Sequence, residues 1–246
     1  MALILAHRGA SPAGSDVVEN TLEAFGLALD LGADGVELDA RLTADGVLVV
    51  HHDAAWSPWL PGIGERAGRP VSATGSSERP PIVPTLVEAL DRCSGGVVPR
   101  PLVNIELKAD PGPDAALATA RALVDLLRRR AGRDRVVVSS FDATVLDAVR
   151  DLLGPDPGRP PLAWLTTSPV DAVEARNLVA RGLSAIHPVV GVVDEALVRV
   201  AHDVGLGVGV WTVNDPADLR RMTALGVDVV ITDRPDVALG VRSGPA

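Results

Sequence analysis

The chain has 246 residues, a length that suits one large domain, and its nearly half apolar composition is enough to bury a sizeable core. The net charge of −9 has the wrong sign for a non-specific nucleic-acid binder. A single cysteine, Cys93, excludes an internal disulfide and a cysteine metal cluster.

The N-terminal segment MALILAHRGA carries no basic leader, and its apolar run is too short for a signal peptide. No apolar run elsewhere reaches the length of a membrane-spanning helix. We therefore expect a cytoplasmic protein without stable membrane insertion. The sequence leaves its oligomeric state open.

Short runs rich in Val, Ile and Leu alternate with longer amphipathic segments, the pattern of parallel βαβ units. The predicted strands are Leu3–Ala6, Gly35–Asp39, Leu102–Leu107, Val136–Ser139, Leu162–Leu165, Ala185–His187, Val208–Thr212 and Val227–Ile231. The predicted helices lie near 21–31, 84–92, 114–130, 142–153, 171–181, 194–204 and 215–225. Eight strands favour a (β/α)8 TIM barrel, and we predict one such α/β domain over 1–246. An open doubly wound sheet is the alternative, weakened because no GxGxxG follows the first strand.

Capping residues mark most of the predicted helix starts. These residues are Asn20 with Glu23 three positions later, Asp114, Asp142, Asp171, Asp194, and Asp215 before Pro216.

The stretch ARLTADGVLVVHHD follows the second strand and predicts a β-hairpin, because Asp45-Gly46 is a strong two-residue turn signal. If these two residues form the loop, Ala44 pairs with Val47, and His52 then lies opposite Asp39. Paired residues share one face of a sheet. The hairpin would thus return His52 to the end of the second strand.

The segment 54–83 is rich in Pro, Gly, Ser and Arg and carries Trp56 and Trp59. It predicts a loop insertion at the C-terminal face of the barrel, where function often resides. Both a lid over the site and a structural cover over the rim are consistent with this composition.

Barrel enzymes place their chemistry at the C-terminal ends of the strands. The charged residues of this sequence collect there: His7 and Arg8 after the first strand, Glu37 and Asp39 in the second, Glu106 and Lys108 in and after the third, and His52 after the hairpin. Carboxylates two positions apart point to the same side of a strand. We therefore expect three carboxylates, two histidines, an arginine and a lysine at one mouth.

Three neighbouring carboxylates repel one another, and one would be protonated unless a cation lies among them. Mg²⁺ and Ca²⁺ prefer such oxygen ligands, and Mn²⁺ also accepts them. Arg8 and Lys108 would attract an anion, and a guanidinium fork beside a compact ammonium suits a phosphate. Two histidines can move protons in both directions near neutral pH. The sequence thus predicts phosphoester cleavage.

The segments HRGA, ENTLEAF, GADGVELDARLTADGVLVVHHD, NIELK, SSFD, WTVN and GVDVVITDRP occur in the order seen in glycerophosphodiester phosphodiesterases. The chain resembles this family, whose members are phosphodiesterase barrels like phosphatidylinositol-specific phospholipase C, from about residue 5 to residue 236. The resemblance implies a (β/α)8 barrel. It also implies metal-dependent hydrolysis of glycerophosphodiesters to sn-glycerol 3-phosphate and an alcohol.

The resemblance further implies a role for each matching residue. It makes His7 and His52 the acid–base pair, Glu37, Asp39 and Glu106 the metal ligands, Arg8 and Lys108 the phosphate-binding cations, and Trp211 an apolar wall against the glycerol carbons. Lys108 is the only lysine of the chain. A compact ammonium on a flexible stem would fit beside Glu106 where a planar guanidinium would not.

The sequence departs from the family pattern at two places. Val18 stands before Glu19 where proline is usual, and AAWSPWLPGIGERAG is shorter than the segment that shapes the alcohol-side pocket in relatives. The alcohol headgroup therefore stays open. A lysophospholipase D-type activity is a close alternative, with Trp56, Trp59 and Leu60 supplying an apolar groove.

Two alternatives of another class also fit part of the sequence. A Schiff-base barrel lyase would use Lys108 as its nucleophile. A non-catalytic headgroup-binding barrel would use the same cations without turnover.

Several residues near the predicted site have a structural explanation of their own. We interpret Asp233 as a helix cap and His51 as a packing or solvent residue. Glu19 fits a contact with Arg8 as well as a surface position, and His187 fits a structural role as well as a functional one.

Overall fold

The protein is described by a computed structural model that covers residues 1–95, 100–130, 132–156 and 158–243. Its strands are β1 Leu3–Ala6, β2 Gly35–Leu42, β3 Leu48–Val50, β4 Leu102–Leu107, β5 Arg135–Ser140, β6 Leu162–Thr166, β7 Ala185–Pro188, β8 Gly207–Val210 and β9 Val229–Thr232. Its α-helices are α1 Leu22–Asp30, α2 Leu86–Ser94, α3 Pro113–Arg130, α4 Ala143–Leu153, α5 Ala172–Ala180, α6 Glu195–Asp203, α7 Pro216–Leu225 and α8 Pro235–Ser243.

Eight parallel strands close on themselves in the order β1, β2, β4, β5, β6, β7, β8, β9 and back to β1. The closing strand β1 pairs on both sides, with Leu5 opposite Gly35 on β2 and Ala6 opposite Thr232 on β9. The predicted (β/α)8 barrel is therefore confirmed. The open doubly wound alternative is excluded because the two edges of the sheet meet.

The barrel strands are apolar almost throughout because both of their faces are buried. One face packs against the helices in a large core that includes Phe25, Leu38 and Ile105. The other face fills the barrel interior, where Leu5, Leu102 and Ile231 form a smaller core. Because side chains alternate along each strand, this second face also carries every second residue near the strand ends into the mouth, among them Glu37 and Asp39 on β2 and Glu106 on β4.

The side chains of Asp142, Asp171, Asp194 and Asp215 accept backbone hydrogen bonds at the starts of α4, α5, α6 and α7, as predicted. Two predicted caps are wrong. Thr21, not Asn20, caps α1, and Asp114 lies inside the first turn of α3. The C-terminal helix α8 was not among the predicted segments.

The hairpin forms, but its predicted register is wrong by one residue. Ala40 pairs with Val50, and the backbone N–H of His51 donates to Asp39 O at 3.0 Å, so His51 rather than His52 stands opposite Asp39. The loop has three residues and ends in Gly46, whose φ of +79° is readily adopted by glycine. β1 stops at Ala6, and β3 takes its place beside the upper half of β2. The chain that follows β3 therefore still arrives above the end of β1.

The segment 54–83 packs on the hairpin through its own small hydrophobic core. Trp56 is fully buried there together with Val49, Leu60, Ile63 and Val83. Trp59, in contrast, exposes 55% of its surface. The position of this segment as an insertion at the C-terminal face stays a prediction.

Within the residues that the structure describes, every α-helix is too short or too polar to cross a lipid bilayer.

Candidate active site

The predicted site residues gather at the C-terminal mouth of the barrel around a cleft of about 730 Å³. Seven of the eight line this cleft: His7, Arg8, Glu37, His52, Glu106, Lys108 and Trp211. The eighth, Asp39, is buried beside them and contacts both Arg8 and Lys108. The structure thus brings together strand ends that are widely separated in the sequence.

Glu37, Asp39 and Glu106 form a buried cluster in which one oxygen of each carboxylate lies within 4.8 Å of the others. The register explains the cluster, since Asp39 is the direct neighbour of Glu106 across the β2–β4 ladder. Burial and the nearby Asp39 carboxylate raise the pKa of Glu37 to about 8. The same two causes raise the pKa of Glu106.

Asp39 is the carboxylate that the surrounding cations keep ionised. Lys108 Nζ and Arg8 Nε each lie 3.2 Å from one of its oxygens, and Asn20 Nδ2 donates to it at 2.8 Å. Burial opposes ionisation, but Lys108 and Arg8 outweigh it and lower the pKa of Asp39. Lys108 Nζ also lies 2.5 Å from Glu106 Oε1, so one ammonium bridges two members of the cluster.

Arg8 is held by its backbone as well as by its side chain. Its φ is +56°, a strained conformation for a residue with a side chain, and its backbone N–H donates to Glu37 Oε2 at 3.0 Å. Its Nη1 donates to Glu19 Oε1 at 2.8 Å, which confirms the contact between these two residues. Asn20 also has a positive φ, of +58°, and its backbone N–H donates to Arg8 O.

His7 lies between two carboxylates at the end of β1. Its Nδ1 is 2.6 Å from Asp233 Oδ1, and its Nε2 is 3.9 Å from Glu37 Oε2. Burial disfavours the charged imidazole, but Asp233 and Glu37 outweigh it and raise the pKa of His7. The interpretation of Asp233 as a helix cap was wrong, because its oxygens bind His7 and Asn214.

His52 carries a similar contact on the opposite side of the cleft. Its Nδ1 lies 2.8 Å from Asp53 Oδ1, and Ser57 Oγ donates to the other oxygen of Asp53 at 2.6 Å. The neighbouring His51 is buried, lies 3.1 Å from Ala55 O through Nε2, and packs against Trp56 at a ring-centroid distance of 5.3 Å. The packing interpretation of His51 is therefore confirmed.

The apolar wall of the cleft includes Trp211 and one residue that the sequence analysis did not select. Trp211 Nε1 donates to His187 O at 2.8 Å, and its ring meets Phe141 edge-on at a centroid distance of 5.4 Å. Phe141 follows β5, two positions after the inward-facing Ser139, so the same spacing that identified Glu106 and Lys108 would have found it. Asn104 also lines the cleft and could have been found by this spacing.

The donor set fits a hard divalent cation. All three clustered side chains offer oxygen, the class of ligand that Mg²⁺ and Ca²⁺ prefer. Glu37 Oε1 is buried and has no hydrogen-bond partner among the described residues. A buried carboxylate oxygen without a donor is costly, and a bound cation would remove that cost.

Comparisons with known proteins agree with this geometry. The sequence profile of the glycerophosphoryl diester phosphodiesterase family matches residues 7–237. A glycerophosphodiester phosphodiesterase of Caldanaerobacter subterraneus subsp. tengcongensis is 32% identical over 260 residues, covering 98% of each chain.

Solved structures share the fold over nearly the whole chain. A crystal structure from Silicibacter pomeroyi is 31% identical, with a TM-score of 0.84 over 98% of this chain and 92% of that one. A phosphodiesterase of Oleispira antarctica, solved in complex with the product sn-glycerol-3-phosphate, is 23% identical, with a TM-score of 0.82 over 98% of this chain and 97% of that one. The second likeness is one of fold.

Proposed function

The chain belongs to the glycerophosphoryl diester phosphodiesterase family, and from that premise we propose that it hydrolyses glycerophosphodiesters to sn-glycerol 3-phosphate and an alcohol by metal-dependent acid–base catalysis. One observation carries the proposal. Two histidines, three clustered carboxylates and two cations converge on a single cleft at the C-terminal mouth of the barrel. Together these groups provide the proton transfer, the metal site and the positive charge for phosphate that metal-dependent acid–base cleavage of a phosphodiester uses.

Glu37, Asp39 and Glu106 are the residues that would hold the divalent cation, which is Mg²⁺, Ca²⁺ or Mn²⁺. When bound, such a cation supplies Lewis-acid stabilisation of phosphate oxygens and a template for the glycerol hydroxyl.

Arg8 and Lys108 give the mouth the positive charge that a phosphate needs. Their contacts with Asp39 and Glu19 hold both cationic groups in place before substrate arrives. Trp211 and Phe141 offer aromatic surface to the carbon atoms of the glycerol unit.

His7 and His52 move the protons. The nucleophile is either the 2-hydroxyl group of the glycerol unit or a water molecule. One imidazole takes the proton of this nucleophile, and the other protonates the leaving alcohol. Internal attack by the glycerol hydroxyl would give a cyclic phosphate that water then opens, with the two histidines exchanging roles.

A Schiff-base reaction at Lys108 is disfavoured by the geometry. Such a lysine must be neutral to attack a carbonyl. Burial lowers the pKa of Lys108, but Asp39 and Glu106 outweigh it and raise the pKa above its ordinary value. The ammonium therefore acts as a fixed charge. A non-catalytic headgroup-binding barrel would not need two inward-facing imidazoles.

The test is release of glycerol 3-phosphate from glycerophosphocholine and glycerophosphoethanolamine, with and without EDTA, for the wild type and His52→Ala. We expect release that both EDTA and the substitution abolish. Release from lysophospholipids alone would assign the lysophospholipase D-type alternative. No turnover of any phosphodiester, together with no metal binding by calorimetry, would reject the proposal. A cytoplasmic location and a single domain over 1–246 stay predictions.

A further inference from the structure

We propose that Asp233, locked by Asn214, is a positioning residue for His7. It would hold the imidazole with its hydrogen on Nδ1 and its lone pair on Nε2, aimed at the carboxylate cluster. The proposal rests on the proposed function, in which His7 moves a proton.

The orientation of Asn214 follows from its hydrogen bonds. Its Oδ1 accepts from the backbone N–H of Asp233 at 2.9 Å and from Thr232 Oγ1 at 3.1 Å. With the carbonyl oxygen occupied by two donors, the amide presents Nδ2 to Asp233, and this group donates to Oδ2 at 2.6 Å. One oxygen of Asp233 is thereby fixed.

The other oxygen of Asp233 lies 2.6 Å from His7 Nδ1. An ionised carboxylate can only accept a hydrogen bond, so Nδ1 must carry the hydrogen. Nε2, which faces Glu37 at 3.9 Å, is then the atom that accepts or gives up a proton during catalysis. Without Asp233 the ring could place its hydrogen on either nitrogen.

Barrel closure supplies the precision of this arrangement. The backbone N–H of His7 donates to Thr232 O at 2.8 Å, so the residues that follow β1 and β9 are locked side by side. Asn214 follows β8, the next strand around the barrel. The three residues thus follow three neighbouring strands, and the rigid barrel holds the segments that carry them close together.

The second histidine has the same pattern of contacts. Asp53 lies against His52 Nδ1, and Ser57 fixes the free oxygen of Asp53. Both imidazoles therefore line the cleft and carry on Nδ1 a carboxylate that is itself held by a neutral side chain. The recurrence favours a role in setting the tautomer over an incidental surface ion pair.

The first experiment is nitrogen NMR of the full chain labelled with ¹⁵N-histidine, comparing the wild type with Asp233→Asn. An asparagine can donate to Nδ1, so we expect His7 to change from the Nδ1–H to the Nε2–H tautomer. We also expect kcat to fall by about 10²-fold or more with little change in KM, as for other carboxylates that orient an imidazole. If the ¹⁵N chemical shifts of His7 are the same in Asp233→Asn and in the wild type, the proposal is overturned.

A double-mutant cycle separates positioning from general support of the fold. A p-nitrophenyl diester of glycerol phosphate has a leaving group that departs easily, so the residual activity of His7→Ala can be measured. If Asp233 acts through His7, adding Asp233→Asn to His7→Ala changes this activity by less than about twofold. If Asp233→Asn lowers the activity of His7→Ala by the same factor as it lowers that of the wild type, the proposal is overturned.

Asp228→Asn is the matched control. Asp228 lies directly before β9, whereas Asp233 lies directly after it. Asp228 Oδ2 is 3.0 Å from His202 Nε2 at the other end of the barrel. This substitution should leave kcat and the His7 spectrum unchanged. The NMR result does not depend on turnover, so it decides the positioning even if the wild type fails to cleave glycerophosphodiesters, an outcome that would reject the proposed function alone.

Discussion

Lys108 lies between two buried carboxylates, Asp39 on the neighbouring strand and Glu106 on its own strand. A guanidinium is wider than an ammonium and spreads its donors over a plane. The space between these carboxylates suits the smaller group. The one lysine of the chain thus stands where a compact charge is needed.

Lys108→Arg keeps the charge but changes its shape. We expect kcat to fall by about 10²-fold, because the guanidinium displaces Asp39 or Glu106 from the cluster. Steady-state kinetics on glycerophosphocholine would measure the loss. Arg199→Lys, the reverse exchange at an exposed surface position, is the control and should be neutral. Wild-type turnover in Lys108→Arg would show that size is unimportant here.

His187 makes the stability of the fold depend on pH. Burial lowers its pKa to about 4, from an ordinary value of 6.5. As the pH falls below 6.5 the unfolded chain takes up a proton that the folded chain refuses until about pH 4, so the free energy of unfolding decreases over this window. Between about pH 7.5 and pH 5 the loss from this residue should be about 2 kcal/mol.

Urea unfolding of the wild type and His187→Gln at these two pH values would test this prediction. The variant has no group that titrates at this position, so its free energy of unfolding should decrease by about 2 kcal/mol less than that of the wild type. Equal decreases in both proteins would mean that His187 is accessible to protons in the fold.

Spacing along single strands was enough to predict most of the site. Glu37 with Asp39, and Glu106 with Lys108, share faces because two positions separate them. Asp233 and Asn20 were misassigned as caps because an Asp or Asn near a helix start satisfies the capping rule equally well. Their actual partners, His7 and Asp39, lie on other strands, and a contact of that kind leaves no local pattern.

At the scale of elements, the hairpin shows how a tertiary contact overrides a local rule. Asp45-Gly46 is a strong signal for a two-residue loop. In the structure, however, the Asp45 carboxylate accepts hydrogen bonds from Thr43 Oγ1 and from the N–H and Oγ of Ser76, and these contacts lower its pKa to about 2. The loop widens to three residues to make them. Ser76 is 31 positions away, so the sequence around the turn could not reveal it.

The contact between β2 and β4 depends on a missing side chain. A Cβ on Gly35 would lie 1.9 Å from the carbonyl oxygen of Leu102. Gly35→Ala should therefore separate the two strands and decrease the free energy of unfolding by about 3 kcal/mol. Gly240→Ala in α8, where a Cβ would meet open space, should raise it by about 0.5 kcal/mol. Denaturant melts of both variants would measure these changes, and equal effects would contradict the role given to Gly35.

For the whole molecule, the count of short apolar strands predicted the barrel. Each strand is buried on both faces, so each gives a continuous apolar run in the sequence. The number of such runs, eight, is the number that a closed barrel requires. Closure itself, through β1 and β9, is a contact between the two ends of the chain that only the structure reveals.

The carboxylate cluster predicts that a divalent cation stabilises the whole barrel. The cation binds the folded protein, in which the paired strands β2 and β4 hold Glu37, Asp39 and Glu106 together, and not the unfolded chain. At about 100 times its dissociation constant the cation should add about 2.7 kcal/mol, which raises Tm by roughly 5–10 °C. Calorimetric melts with Mg²⁺, Ca²⁺ or Mn²⁺ and with EDTA would measure this shift.

Two variants sharpen the measurement. Glu37→Gln removes one charged ligand with almost no change in shape and should abolish most of the metal-induced rise in Tm. Glu65→Gln, at an exposed position in the segment 54–83, should retain it. An equal rise in both variants would place the cation elsewhere.

The contact between His7 and Asp233 joins residues 226 positions apart, and β1 finds its second neighbour only in β9. During synthesis His7 is therefore made 226 residues before the aspartate that it contacts. At about 5–20 residues per second, a nascent chain would spend tens of seconds with β1 unpaired on one side. We expect the nascent chain to have no catalytic activity until β9 has left the ribosome and paired with β1. Until then an open sheet edge would be exposed to chaperones and neighbouring chains.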